Sequence, residues 1–210
     1  MYATETISDY LLQCDDIETL KRQILPLLET QRSRWKEKIA EILRKNHLSC
    51  RDLAKLCGVS EQSVRKWRSG SLPQSRDMFL RIGFAAGFDL DTMKRFLSRY
   101  GRYSQLYARS LEDSVAIFIL RSKTIPHTYA SYRELLEIVE NEIDLHDRPD
   151  APVCSTRSLM GGLQQLETVT DMLNFARENV PSYRRSYGRL YRYIIAFLNE
   201  NLASNAALFM

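Results

Sequence analysis

Four polar side chains between residues 62 and 69 share one face of a helix. At 100° per residue, Gln62, Arg65, Lys66 and Ser69 cluster opposite Val64 and Trp67. An amide, two cations and a hydroxyl are groups that meet base edges and phosphates in duplex DNA. Gln62 and Lys66 lie one turn apart, so both can enter a groove together. A glutamine bonds adenine through two hydrogen bonds, and a lysine reaches guanine O6 and N7. Arg65 and Ser69, nearer the edges of the face, are expected to touch the backbone. A plain solvated helix is the alternative, since helical corners are common.

The surrounding stretch, LSCRDLAKLCGVSEQSVRKWRSGSLP from Leu48 to Pro73, supplies the elements that must hold this face. Ser49 is a helix N-cap, its hydroxyl accepting from a backbone N–H one turn in. The helix it opens carries Leu53, Ala54 and Cys57 on one side. Gly58 stands where a helix ends in a left-handed conformation, which costs glycine almost nothing. Val59 packs the turn and Ser60 caps the second helix, which stops at Gly70 with Pro73 beyond. Two short helices joined this tightly form the unit that delivers a second helix into the major groove.

These residues resemble the phage-repressor/Cro helix-turn-helix family, also called Xre. Leu53-Ala54, Gly58-Val59-Ser60, Val64, Trp67, Gly70 and Pro73 carry the resemblance, which is close over Leu48–Gly70 and looser from Trp35 to Gly101. It implies a five-helix bundle and a regulator that binds operator DNA. It also places Glu61, Gln62 and Lys66 on base-reading positions and Ser69 on a backbone-contacting one. Two residues depart from the pattern. Cys50 replaces a glutamine that often holds a phosphate, which puts Cys50 among the candidate DNA contacts. Arg68 replaces a glutamate that pairs with an arginine on the first helix; an inverted pair with Glu37 or Glu41 would restore that link.

Charge is segregated along the chain. Between Gln31 and Tyr103 there are 17 Lys/Arg against 7 Asp/Glu, a net of +10 in a chain of net +4. The segments 1–30 and 104–150 are each net −4. A basic segment gains nonspecific affinity for DNA by releasing counterions from phosphates.

Glycine and proline are scarce and apolar residues recur at steps of three and four, which predicts an all-α fold. The expected architecture is a five-helix repressor-like bundle at 31–102, preceded by an N-terminal helical extension at 1–30 and followed by a C-terminal helical domain at 103–210. Pro26 is a point where the first helices kink or restart. Arg34–Asn46, Ser75–Ala86 and Asp89–Tyr100 are read as further helices of the bundle, with Asp89 as a cap. Phe79, Ile82, Phe84, Met93, Phe96 and Leu97 are its predicted core.

Beyond Gly101, Ser110 and Asp113 suggest a variant capping box before the apolar run Val115–Leu120. Tyr129–Leu145 reads as an acidic amphipathic helix, Arg148–Pro152 as a boundary loop, and Leu159–Asn179 and Pro181–Ser204 as helices. A stripe of Tyr183, Tyr187, Tyr191, Ile194, Ile195 and Leu198, flanked by arginines, is read as core, or else as a contact surface.

No nucleophile, base and carboxylate come together to suggest an enzyme, and no cofactor or metal is expected. Cys14, Cys50, Cys57 and Cys154 lack metal-ligand spacing, and reduced thiols fit a cytoplasmic protein. No apolar run is long enough for a membrane span. The expected partners are double-stranded DNA, a second copy of the chain in a homodimer, and a protein bound through the C-terminal helices. The alternative function is an interaction adaptor or antitoxin-like partner that keeps the helix-turn-helix fold.

Overall fold

A computed structural model of the chain describes residues 17–143 and 153–183. Every regular element among them is helical, and none of these helices is long and apolar enough to cross a membrane. The chain divides into two compact units between Gln105 and Leu106.

Unit 1 begins with α1, Ile17–Lys45. The expected separation at residue 30 between an extension and a first bundle helix is absent. One helix runs through Pro26 and on to Lys45, because Glu29–Arg34 contains no glycine or proline to stop it. Trp35, Ile39, Ile42 and Leu43 form its buried stripe. It ends at His47, which adopts a left-handed φ of 51° while the Leu48 N–H bonds the Leu43 carbonyl at 2.9 Å.

Helices α2 (Cys50–Cys57), α3 (Glu61–Arg68), α4 (Arg76–Ala85) and α5 (Leu90–Phe96) complete the unit. Helix α2 packs on α3 and α4, and α1 packs on α3. The expected core residues Phe79, Ile82, Phe84, Met93, Phe96 and Leu97 are all buried. Trp35 joins them, its ring 5.3 Å from that of Phe79 and 6.0 Å from that of Phe96. A Cβ on Gly83 would collide with Met93 Sδ, so glycine allows the approach of α4 to Met93 of α5. Instead of one helix to Tyr100, α5 passes into a π-helical turn, Leu97–Gly101, closed by Arg102 at φ 57°.

Unit 2 is built around α6, Leu111–Arg121, in which every residue from Asp113 to Leu120 is buried. Such all-round burial marks a central helix. Around it lie α7 (Tyr129–Glu142), α8 (Thr156–Leu163) and α9 (Val169–Glu178). Ser110 caps α6 as expected, but the reciprocal bond does not form: Asp113 Oδ2 accepts from the Tyr107 N–H at 2.9 Å. Residues 144–152 lie outside the described residues, so the loop expected at 148–152 is not described. On either side of it, α7 and α9 pack together, and Glu142 accepts from Arg177 Nη2.

The single helix expected over Leu159–Asn179 is two. A full capping box, Thr168 with Asp171, starts α9 afresh. A helical stretch resumes at Val180 with Pro181 in its first turn, and Tyr183 is buried, as a core stripe requires. The rest of that stripe, from Tyr187 to Leu198, lies outside the described residues.

Candidate nucleic-acid interface

The turn between α2 and α3 is closed by its own hydrogen bonds. Ser49 accepts from the Asp52 N–H at 3.1 Å, and Asp52 Oδ2 accepts from the Ser49 N–H at 3.0 Å, a complete capping box. The Ser49 hydroxyl also donates to Asp52 Oδ2 at 2.6 Å, and this bond together with the one from the Ser49 N–H stabilises the charged carboxylate and holds the Asp52 pKa below its ordinary value. Helix α2 ends at Gly58, with φ 65° and ψ 39°, and the Val59 N–H returns to the Ala54 carbonyl at 2.9 Å. Ser60 then caps α3 by accepting from the Ser63 N–H at 3.2 Å.

Helix α3 is anchored by Val64 and Trp67, both buried, and α2 by Leu53, Ala54 and Cys57. Burial pushes the Cys57 thiol up to about 12, so this sulfur serves as packing rather than as a nucleophile. Two long-range bonds brace the pair. Trp35 Nε1 on α1 donates to the Ser71 carbonyl just beyond α3, at 2.8 Å. Arg81 on α4 donates from Nη1 to the Cys57 carbonyl at 3.1 Å and from Nε to Asp77 at 2.8 Å. Neither brace was legible in the sequence; only the four-residue spacing of Asp77 and Arg81 hinted that the arginine was held.

The candidate contact residues divide into three groups. Gln62 and Lys66 are exposed, and no side-chain hydrogen bond or ion pair engages either among the described residues. Glu61 and Arg65 are tied to each other: Arg65 Nη2 and Nε donate to Glu61 Oε1 at 2.7 and 3.0 Å. The Ser69 hydroxyl turns back to donate to the Lys66 carbonyl at 2.8 Å, satisfying the helix end.

Cys50 opens α2 and meets Arg68, whose Nη1 donates to Sγ at 3.7 Å. The inverted pair of Arg68 with Glu37 or Glu41 does not form. Glu41 is held within α1 by Lys45 at 2.7 Å and Lys38 at 3.1 Å, and these hydrogen bonds lower its pKa. Arg68 is therefore turned toward Cys50 on α2 rather than toward α1.

The outward face of α3 thus presents one amide and one ammonium unengaged, with a guanidinium paired to Glu61 beside them. Among the described residues, no group of three or more His, Cys, Asp or Glu side chains is placed to hold a metal ion. Comparison of the whole chain with protein-family models, curated proteins and solved structures finds no match.

Proposed function

We propose that this protein binds double-stranded DNA in a sequence-specific manner through α3 and acts as a transcriptional regulator. The observation that carries this reading is the pairing of burial and exposure on one short helix. Val64 and Trp67 root α3 in the core while Gln62 and Lys66 stand outward, one turn apart and unengaged. Those two side chains match adenine and guanine edges in a major groove. The concentration of positive charge in 31–103 supplies the phosphate attraction that brings a duplex to that face.

One short helix spans few base pairs, so a homodimer reading two half-sites about 10 bp apart completes the proposal. Selection of bound sequences from a random duplex pool tests it: an enriched, two-fold symmetric site is expected. No enrichment rejects the reading. A single asymmetric site, with a monomer by light scattering, rejects the dimer.

Unit 2 favours a second role alongside the first. Helix α7 exposes Glu134, Glu137 and Glu140 around Ile138, which is 41% exposed, as a face for a protein partner. Capture of a protein that survives nuclease treatment would separate this role from DNA binding.

A further inference from the structure

The Glu61–Arg65 pair carries an inference that rests on the DNA reading and sharpens it. A carboxylate in the first turn of a groove-reading helix faces a dense row of phosphates, which disfavours it unless a cation neutralises it. Here that cation is built in one turn away on the same helix. Both bonds fall on one edge of the guanidinium, since Nε and Nη2 converge on the same oxygen, Glu61 Oε1. The outer edge keeps one N–H on Nη1 and one on Nη2, parallel and unengaged. That is the donor fork a guanine accepts at O6 and N7.

We propose that Glu61 and Arg65 act as one reading head, in which Arg65 recognises the guanine of a G·C pair and Glu61 positions it. Arg65 is then a specificity-determining residue rather than a phosphate contact, and Glu61 touches no base. In water an exposed pair spaced four residues apart holds its partner only weakly. Against a duplex that displaces solvent, the same contact strengthens and fixes the direction in which the fork points.

Three variants, each checked for native circular dichroism, test the pair by selection and by binding over a salt series. Arg65→Lys keeps the charge but loses the fork. It should weaken preference at one G·C pair, because an ammonium meets O6 and N7 without the planar fork, lower affinity for the best site by roughly tenfold, and leave the salt slope unchanged. Arg65→Ala should lose the same base preference. Glu61→Gln removes one negative charge near phosphate, so affinity for random DNA should rise while discrimination at that same base pair falls. The inference is overturned if Arg65→Lys keeps every base preference at full strength, or if Arg65→Ala weakens specific and random DNA equally and reduces the salt slope by about one. Enrichment of no sequence by the unmodified protein is a different failure, and it removes the DNA reading itself.

Discussion

Arg68 at the end of α3 donates to the sulfur of Cys50 at the start of α2, 18 residues earlier in the chain. Sulfur is a weak acceptor, so the contact orients the guanidinium without strongly holding it. It still joins the last turn of α3 to the first turn of α2, the two ends of the helix pair that frame the turn.

Cysteine chemistry should follow this geometry. Alkylation at neutral pH is expected to modify half-buried Cys50 well before Cys57, which is buried and whose thiol is pushed up to about 12. Peptide mass spectrometry over time reads the order directly. Full modification of Cys50 adds bulk beside Arg68 at the end of the proposed reading helix, and should weaken DNA binding. Unchanged affinity would detach that thiol from function.

Replacing Gln62 or Lys66 by alanine should cost about 1–3 kcal/mol on the preferred site and relax preference at particular base pairs. Neither side chain is buried, so the fold should persist in both variants. Equal losses on specific and random DNA would reassign them to phosphates.

Trp35→Phe should destabilise unit 1 by about 1–3 kcal/mol, since it removes the only indole donor to the Ser71 carbonyl. Trp67→Ala, at a site only 6% exposed, should cost about 3–5 kcal/mol by leaving a cavity. Urea melts of the two variants distinguish a lost brace from a lost core residue.

Acid should loosen the N-terminus of α5. The backbone N–H and hydroxyl of Thr92 stabilise the Asp89 carboxylate and lower its pKa below the ordinary value. A lowered folded pKa means stabilisation that is complete above the unfolded value and lost as pH falls through the folded one. Asp89→Asn keeps a capping oxygen but cannot ionise there. Its melting temperature should match the parent near neutrality and respond less to acidification below about pH 4. An equal acid response in both proteins would refute the assignment.

Helix starts were the most legible part of the fold, because Ser49, Ser60, Ser75 and Asp89 each bring an acceptor to an otherwise unsatisfied N–H. The same chemistry exposes what was missed. Thr168 and Asp171 carry a capping signal as strong as that of Ser49 and Asp52, yet the apolar period through Leu159, Leu163, Met172 and Ala176 masks the break. Pro26 reads as a punctuation mark, but nothing after it caps a new helix, so α1 continues. In the candidate site, the exposed face followed from helical spacing alone. The partners of Arg65, Arg68 and Arg81 did not, because a long cation has several carboxylates and carbonyls within reach and only packing selects among them.

Both tryptophans of the chain, Trp35 and Trp67, are buried in unit 1. Unit 2 has none, and its buried rings include Tyr132 and Tyr183. Indole emission excited at the red edge therefore watches one half of the molecule while the other is dark. Loss of that signal on heating, set beside the helical signal of the whole chain, would date the melting of each half within one sample.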